Sequence, residues 1–139
     1  MTRYLSLAEY FWLAEQVTDT PAPVLLKASR SDLADSALHA PQAGHGDEDF
    51  YPDVIDKAAV LTCRLAWNHP LPDGNKRAAW AALVMFIDLN GGRWQPDPPD
   101  VDEAESAMLA VAAHTVDEAW FASWLDTRVT FDSRPPTSE

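Results

Sequence analysis

The sequence predicts an all-α fold of about six helices around a central, buried helix at about residues 75–90. Three observations carry that prediction. Apolar residues recur at helical spacing along most of the chain. Polar residues with capping chemistry precede several apolar runs, and proline or glycine follows most of them. No stretch alternates convincingly between apolar and polar, and no internal repeat is present.

The first helix begins behind Ser6-Leu7-Ala8-Glu9, which has capping-box spacing, and its apolar face is Leu7, Tyr10, Phe11, Ala14 and Val17. Pro21 and Pro23 are expected to end it. Ser31 is expected to cap a short helix through His39, closed by Pro41. A polar loop follows at 44–49. Tyr51-Pro52 opens the next helix, with proline where no bonded amide is lost, and Ile55, Ala58, Ala59, Thr62, Leu65 and Ala66 face inward. After a loop at 68–74 comes the central helix, apolar around most of its circumference and stopped by Gly91-Gly92. Arg93-Trp94-Gln95 is briefly extended, and Pro96, Pro98 and Pro99 exclude regular structure. Helices starting at Asp100 and at Thr115 share capping-box logic. The expected organisation is one domain over 1–128 and a flexible tail over 129–139.

With 139 residues, 47% of them hydrophobic, the chain has enough material for one core. Its net charge of -12 disfavours wrapping a nucleic-acid backbone, which requires clustered Lys and Arg. A small basic pocket in an acidic surface remains compatible with it. The lone Cys63 forms no internal disulfide and no CxxC pair exists, so an intracellular setting is the default. No signal-peptide pattern opens the chain, and no apolar run reaches the roughly 18 residues of a membrane span. A cytoplasmic protein without membrane or nucleic-acid partners is expected.

One segment carries chemistry: His69-Pro70-Leu71-Pro72-Asp73-Gly74-Asn75-Lys76-Arg77. Gly74 permits a tight turn and close approach to a ligand. The first amides of the following helix point outward, with the positive end of the macrodipole behind them, so an anion fits there. Lys76 and Arg77 add two charges where cations oppose the dipole, which points to a ligand rather than to helix stability. Asp73 offers one hard oxygen ligand beside phosphates, the usual way to hold Mg²⁺ with a nucleotide. His69 is a residue type able to take a proton from a hydroxyl nucleophile at neutral pH. These are parts for transfer of a phosphorus-containing group.

The segment resembles the active-site motif of the Fic/Doc (death-on-curing) family, approximately His-x-Phe-x-Asp-Ala/Gly-Asn-Lys/Gly-Arg. The similarity takes in Ser36 to Gln42 upstream, Tyr51-Pro52 with Lys57-Ala58-Ala59, and Phe86 to Gly91 downstream. It implies His69 as general base, Asp73 as the Mg²⁺ ligand, and Gly74, Asn75, Lys76 and Arg77 around the phosphates of ATP or another nucleoside triphosphate. Lys76 stands where the adenylylating branch usually has Gly, and Trp80 where that branch has a second Arg. Both favour the Doc-like branch, toxins that phosphorylate elongation factor Tu. Leu71 replaces the usual Phe and Ala78 the usual Thr, departures that weaken the match. No Ser/Thr-x-x-x-Glu-Gly/Asn inhibitory pattern is present, so the resemblance implies an antitoxin acting in trans.

The expectation is therefore a Doc-like toxin, a Mg²⁺-dependent phosphotransferase acting on a Ser or Thr hydroxyl. Adenylyl transfer on the same scaffold, and a catalytically weak partner-binding module, are the alternatives. His39, His45 and His114 lack the spacing of helical metal ligands and are expected in cap, loop or surface roles. Cys63 is expected to be inert, and most of Trp12, Trp67, Trp80, Trp120 and Trp124 to pack in the core.

Overall fold

The structure, a computed structural model, describes residues 1–131. Among these are seven α-helices: α1 (Leu7–Thr18), α2 (Ala22–Ala28), α3 (Ser31–His39), α4 (Val54–Asn68), α5 (Asn75–Leu89), α6 (Val101–Ala112) and α7 (Glu118–Asp126). Two small antiparallel pairs complete the fold: β1 (Gly44–His45) with β2 (Glu48–Asp49), and β3 (Gly92–Trp94) with β4 (Val129–Phe131). The all-α expectation holds.

Local chemistry sets the helix starts. Ser6 accepts from the Glu9 amide at 3.1 Å while the Glu9 carboxylate accepts from the Ser6 amide at 2.8 Å, a complete capping box for α1. Asp53, Asp100 and Asp117 cap α4, α6 and α7 by accepting from the amides of Ile55, Glu103 and Trp120. The true caps differ from three expectations. Asp53, not the Tyr51-Pro52 step, opens α4, and Asp117, not Thr115, opens α7. At α3, Ser31 lies inside the helix and no side chain caps it.

The expected stop at Pro21 and Pro23 is a helix start. Pro21 stands at the N-cap of α2 and Pro23 in its first turn, where a missing amide breaks no helical bond. The expected loop at 44–49 forms the β1–β2 hairpin, turning at Gly46 with φ 62. Val129 to Phe131, expected in the tail, pair with β3 instead; the rest of that expectation falls on 132–139, outside the described residues. At Gly91 φ is 78, the left-handed stop, whereas Gly92 serves packing: a Cβ there would lie 2.6 Å from Ile87 Cγ2.

Helices α4 and α5 share the centre. Helix α5 buries Ala78, Ala79, Ala82, Leu83, Phe86 and Ile87, and α4 is buried at still more positions, against α3, α5, α6 and α7. Each large apolar side chain fully withdrawn from water contributes roughly 1.5–3 kcal/mol. Among the described residues Lys57 is the one buried cation. Its Nζ donates to Pro41 O at 3.1 Å and Asp49 Oδ2 at 3.3 Å, and lies 5.6 Å from the Tyr4 ring centroid. Those contacts offset its desolvation and tie the hairpin to α4. No helix is long and apolar enough to cross a membrane among the described residues.

Candidate active site

The motif occupies the turn between the two central helices. Helix α4 ends at His69, whose left-handed backbone (φ 50, ψ 55) swings the chain sharply off the helix axis and leaves the imidazole exposed. Two bonds from the α2–α3 corner fix this point. Asn68 Nδ2 donates to Leu33 O at 3.0 Å, and the Arg30 amide donates to Pro70 O at 2.8 Å. Leu71 then plugs into the core at 4% exposure, so the aliphatic side chain fills the position the motif usually gives to Phe. Asn75 holds it there: the Leu71 amide donates to Asn75 Oδ1 at 2.9 Å, and Asn75 Nδ2 donates to Leu71 O at 3.0 Å.

Gly74 closes the turn at φ 82. A Cβ at this position would sit 2.7 Å from Thr18 Cγ2 at the end of α1, so both backbone and space demand glycine. Helix α5 starts here without any side-chain cap or first-turn acid. Four other helices, α1, α4, α6 and α7, have both. Lys76 and Arg77 occupy the uncapped turn instead, exposed and outside every ion pair among the described residues. In a chain with 22 acidic residues, two adjacent cations have no carboxylate partner among the described residues, at a helix start whose amides face outward.

Asp73 is exposed beside them and also lacks an ion pair. No group of three or more His, Cys, Asp or Glu side chains converges on a metal site among the described residues. A single free carboxylate suits a cation whose other ligands are phosphate oxygens and water. The donor set thus fits Mg²⁺ arriving with a nucleotide.

Along α5 from the motif, a groove of about 570 Å³ opens between α5 and α6. Lys76 and Arg77 lie at its edge, Trp80, Ala81 and Val84 form one wall, and Met108 and Leu109 belong to the other. Trp80 is half-buried, its ring centroid 5.3 Å from that of Trp94 and 6.3 Å from that of Trp124.

A sequence profile described as the Fic/DOC family matches residues 4–87. The chain belongs to the Fic/DOC family. It is also 47% identical over 92 residues to a protein named Toxin Doc from Mycolicibacterium smegmatis (strain ATCC 700084 / mc(2)155), covering 66% of this chain and 70% of that protein. The profile match runs from three residues before α1 into the last turn of α5, and so includes the whole motif turn.

The motif residues expected from this Fic/DOC chain's sequence fall in one turn and the helix start behind it. Asn75 carries a contact that sequence reading did not assign, since its side chain braces the loop. The groove wall from α6, Thr18 opposite Gly74, and the clamps from Arg30 and Leu33 were also missed. Nothing local marks them, because each comes from a segment distant in the chain. Cys63 is fully buried, and burial together with nearby Glu118 pushes its thiol up to about 12. His39 caps its own helix through Asp35 O at 2.9 Å, and His114 stacks on Trp67 at 5.0 Å.

Proposed function

We propose that this chain is a Doc-like toxin that transfers a phosphoryl group from ATP or another nucleoside triphosphate to a Ser or Thr hydroxyl of a cytoplasmic protein. The observation that carries this reading is the uncapped start of α5, with Lys76 and Arg77 in no ion pair among the described residues and His69 and Asp73 exposed beside it. The amides of the first turn, with Lys76 and Arg77, hold the phosphates and neutralise their charge. Gly74 lets the backbone approach them. His69 accepts the proton of the target hydroxyl as its oxygen bonds to phosphorus. The bond from phosphorus to the bridging oxygen breaks, and a nucleoside diphosphate leaves.

Asp73 would hold Mg²⁺, which when bound supplies further charge neutralisation and orientation of the phosphates. Asn75 acts by position: its two bonds to Leu71 fix the loop that carries His69 and Asp73. Burial of Leu71 supports an active enzyme over a weak partner-binding module, since the loop is anchored without the usual aromatic. A translation factor such as elongation factor Tu is the target class suggested by the family resemblance. The same resemblance suggests an antitoxin in trans, and the net charge of -12 suits a basic partner segment.

The test is incubation of the protein and a bacterial lysate with ATP labelled at the γ- or the α-phosphate. Label from the γ-position alone, lost in His69→Ala, is the expected result. Label from the α-position would replace phosphoryl by adenylyl transfer, and equal labelling by His69→Ala would remove the general base from this reading.

A further inference from the structure

We propose that Trp80 is the platform on which the nucleobase of the substrate stacks, a reading that rests on the phosphate site at Lys76 and Arg77. Residues 76, 77, 80, 81 and 84 recur at helical spacing and line the same groove. From residue 76 to residue 80 the helix rises about 6 Å. That is comparable to the separation between the phosphates and the base of one nucleotide. The groove, about 570 Å³, is of a size that takes a small molecule.

Its chemistry is polarised along its length. Cations stand at the end nearest the motif, and the lining farther along is apolar except for Glu105. A ligand matching it has an anionic head and a flat, weakly polar body. Trp80 supplies the flat counterpart in a fixed position, because Trp94 and Trp124 pack against its ring at 5.3 and 6.3 Å. An aromatic surface already held in place loses little freedom on binding.

The order of groups adds a direction. His69 lies on one side of the uncapped turn in the chain, and Trp80 follows one helical turn after Lys76 and Arg77. A nucleotide with its base on Trp80 therefore turns its terminal phosphate toward the motif loop. Such a pose favours phosphoryl over nucleotidyl transfer. Stacking on an aromatic face discriminates poorly among bases, so purine triphosphates should bind with similar affinity.

Calorimetry with ATP and with inorganic tripolyphosphate tests the platform in the full chain. ATP should bind wild type more tightly than tripolyphosphate. Trp80→Ala should lose roughly ten- to a hundredfold in ATP affinity with tripolyphosphate unchanged, and Trp80→Phe should keep most of it. Against misfolding of Trp80→Ala, the indole N–H resonance of Trp80 in wild type should shift with ATP and not with tripolyphosphate. ATP and tripolyphosphate bound alike, with Trp80→Ala without effect, would assign the groove to something other than a base, such as a partner helix, and overturn the platform alone. No binding of either ligand to wild type would instead overturn the phosphate site and the platform with it.

Discussion

At the residue scale, Asn75 and Lys76 are neighbours with different work. Asn75 makes both of its bonds to Leu71, whereas Lys76 makes no ion pair among the described residues. Asn75→Ala should therefore lower stability by about 1–3 kcal/mol, because it strands the Leu71 amide and carbonyl at a site closed by a buried side chain. It should also slow transfer while leaving nucleotide affinity within about twofold. Lys76→Ala should do the reverse, weakening nucleotide binding with little change in stability. Thermal denaturation and calorimetry on the two variants separate the roles. The residue types of the motif were legible because each has distinctive chemistry. The Asn75 brace was not, because an Asn at a helix start reads equally as cap, ligand or surface residue.

Among elements, helix termini show how far local sequence reaches. The box at Ser6 and Glu9 is closed by groups three residues apart, so reading it needs no tertiary knowledge. The Ser6 backbone amide, with its hydroxyl and Arg3, holds the Glu9 carboxyl below the usual carboxylate range. A carboxyl depressed in the folded state adds stability above its unfolded pKa and loses it as pH falls through the folded one. Glu9→Ala should then cost about 0.5–1 kcal/mol at neutral pH, a cost that shrinks toward zero in acid once the carboxyl is protonated in both folded and unfolded states. Urea titrations at neutral and acid pH read this directly. Helix α2 went unread because its prolines sit at the N-cap and in the first turn, and the same residues signal a stop as readily as a start.

Over the whole molecule, closure depends on chain segments that meet late. Val129 is 4% exposed and registers opposite Trp94, joining the end of the described chain to the strand after α5. Val129→Ala should cost about 1–2 kcal/mol in chemical unfolding, because it removes two buried methyl groups from beneath the tryptophan cluster. Strands of three residues are too short to show alternation, so no pattern predicts this pairing. The sequence by itself determined the helical class, the starts of α1, α5 and α6 and the position of the motif turn between two helices, since caps, prolines and glycines act within a few residues. Only the tertiary structure decided the β3–β4 closure, the α6 wall of the groove and the seating of Trp80 against Trp94 and Trp124. Those depend on which distant side chains share a space, and packing rather than local propensity sets that outcome.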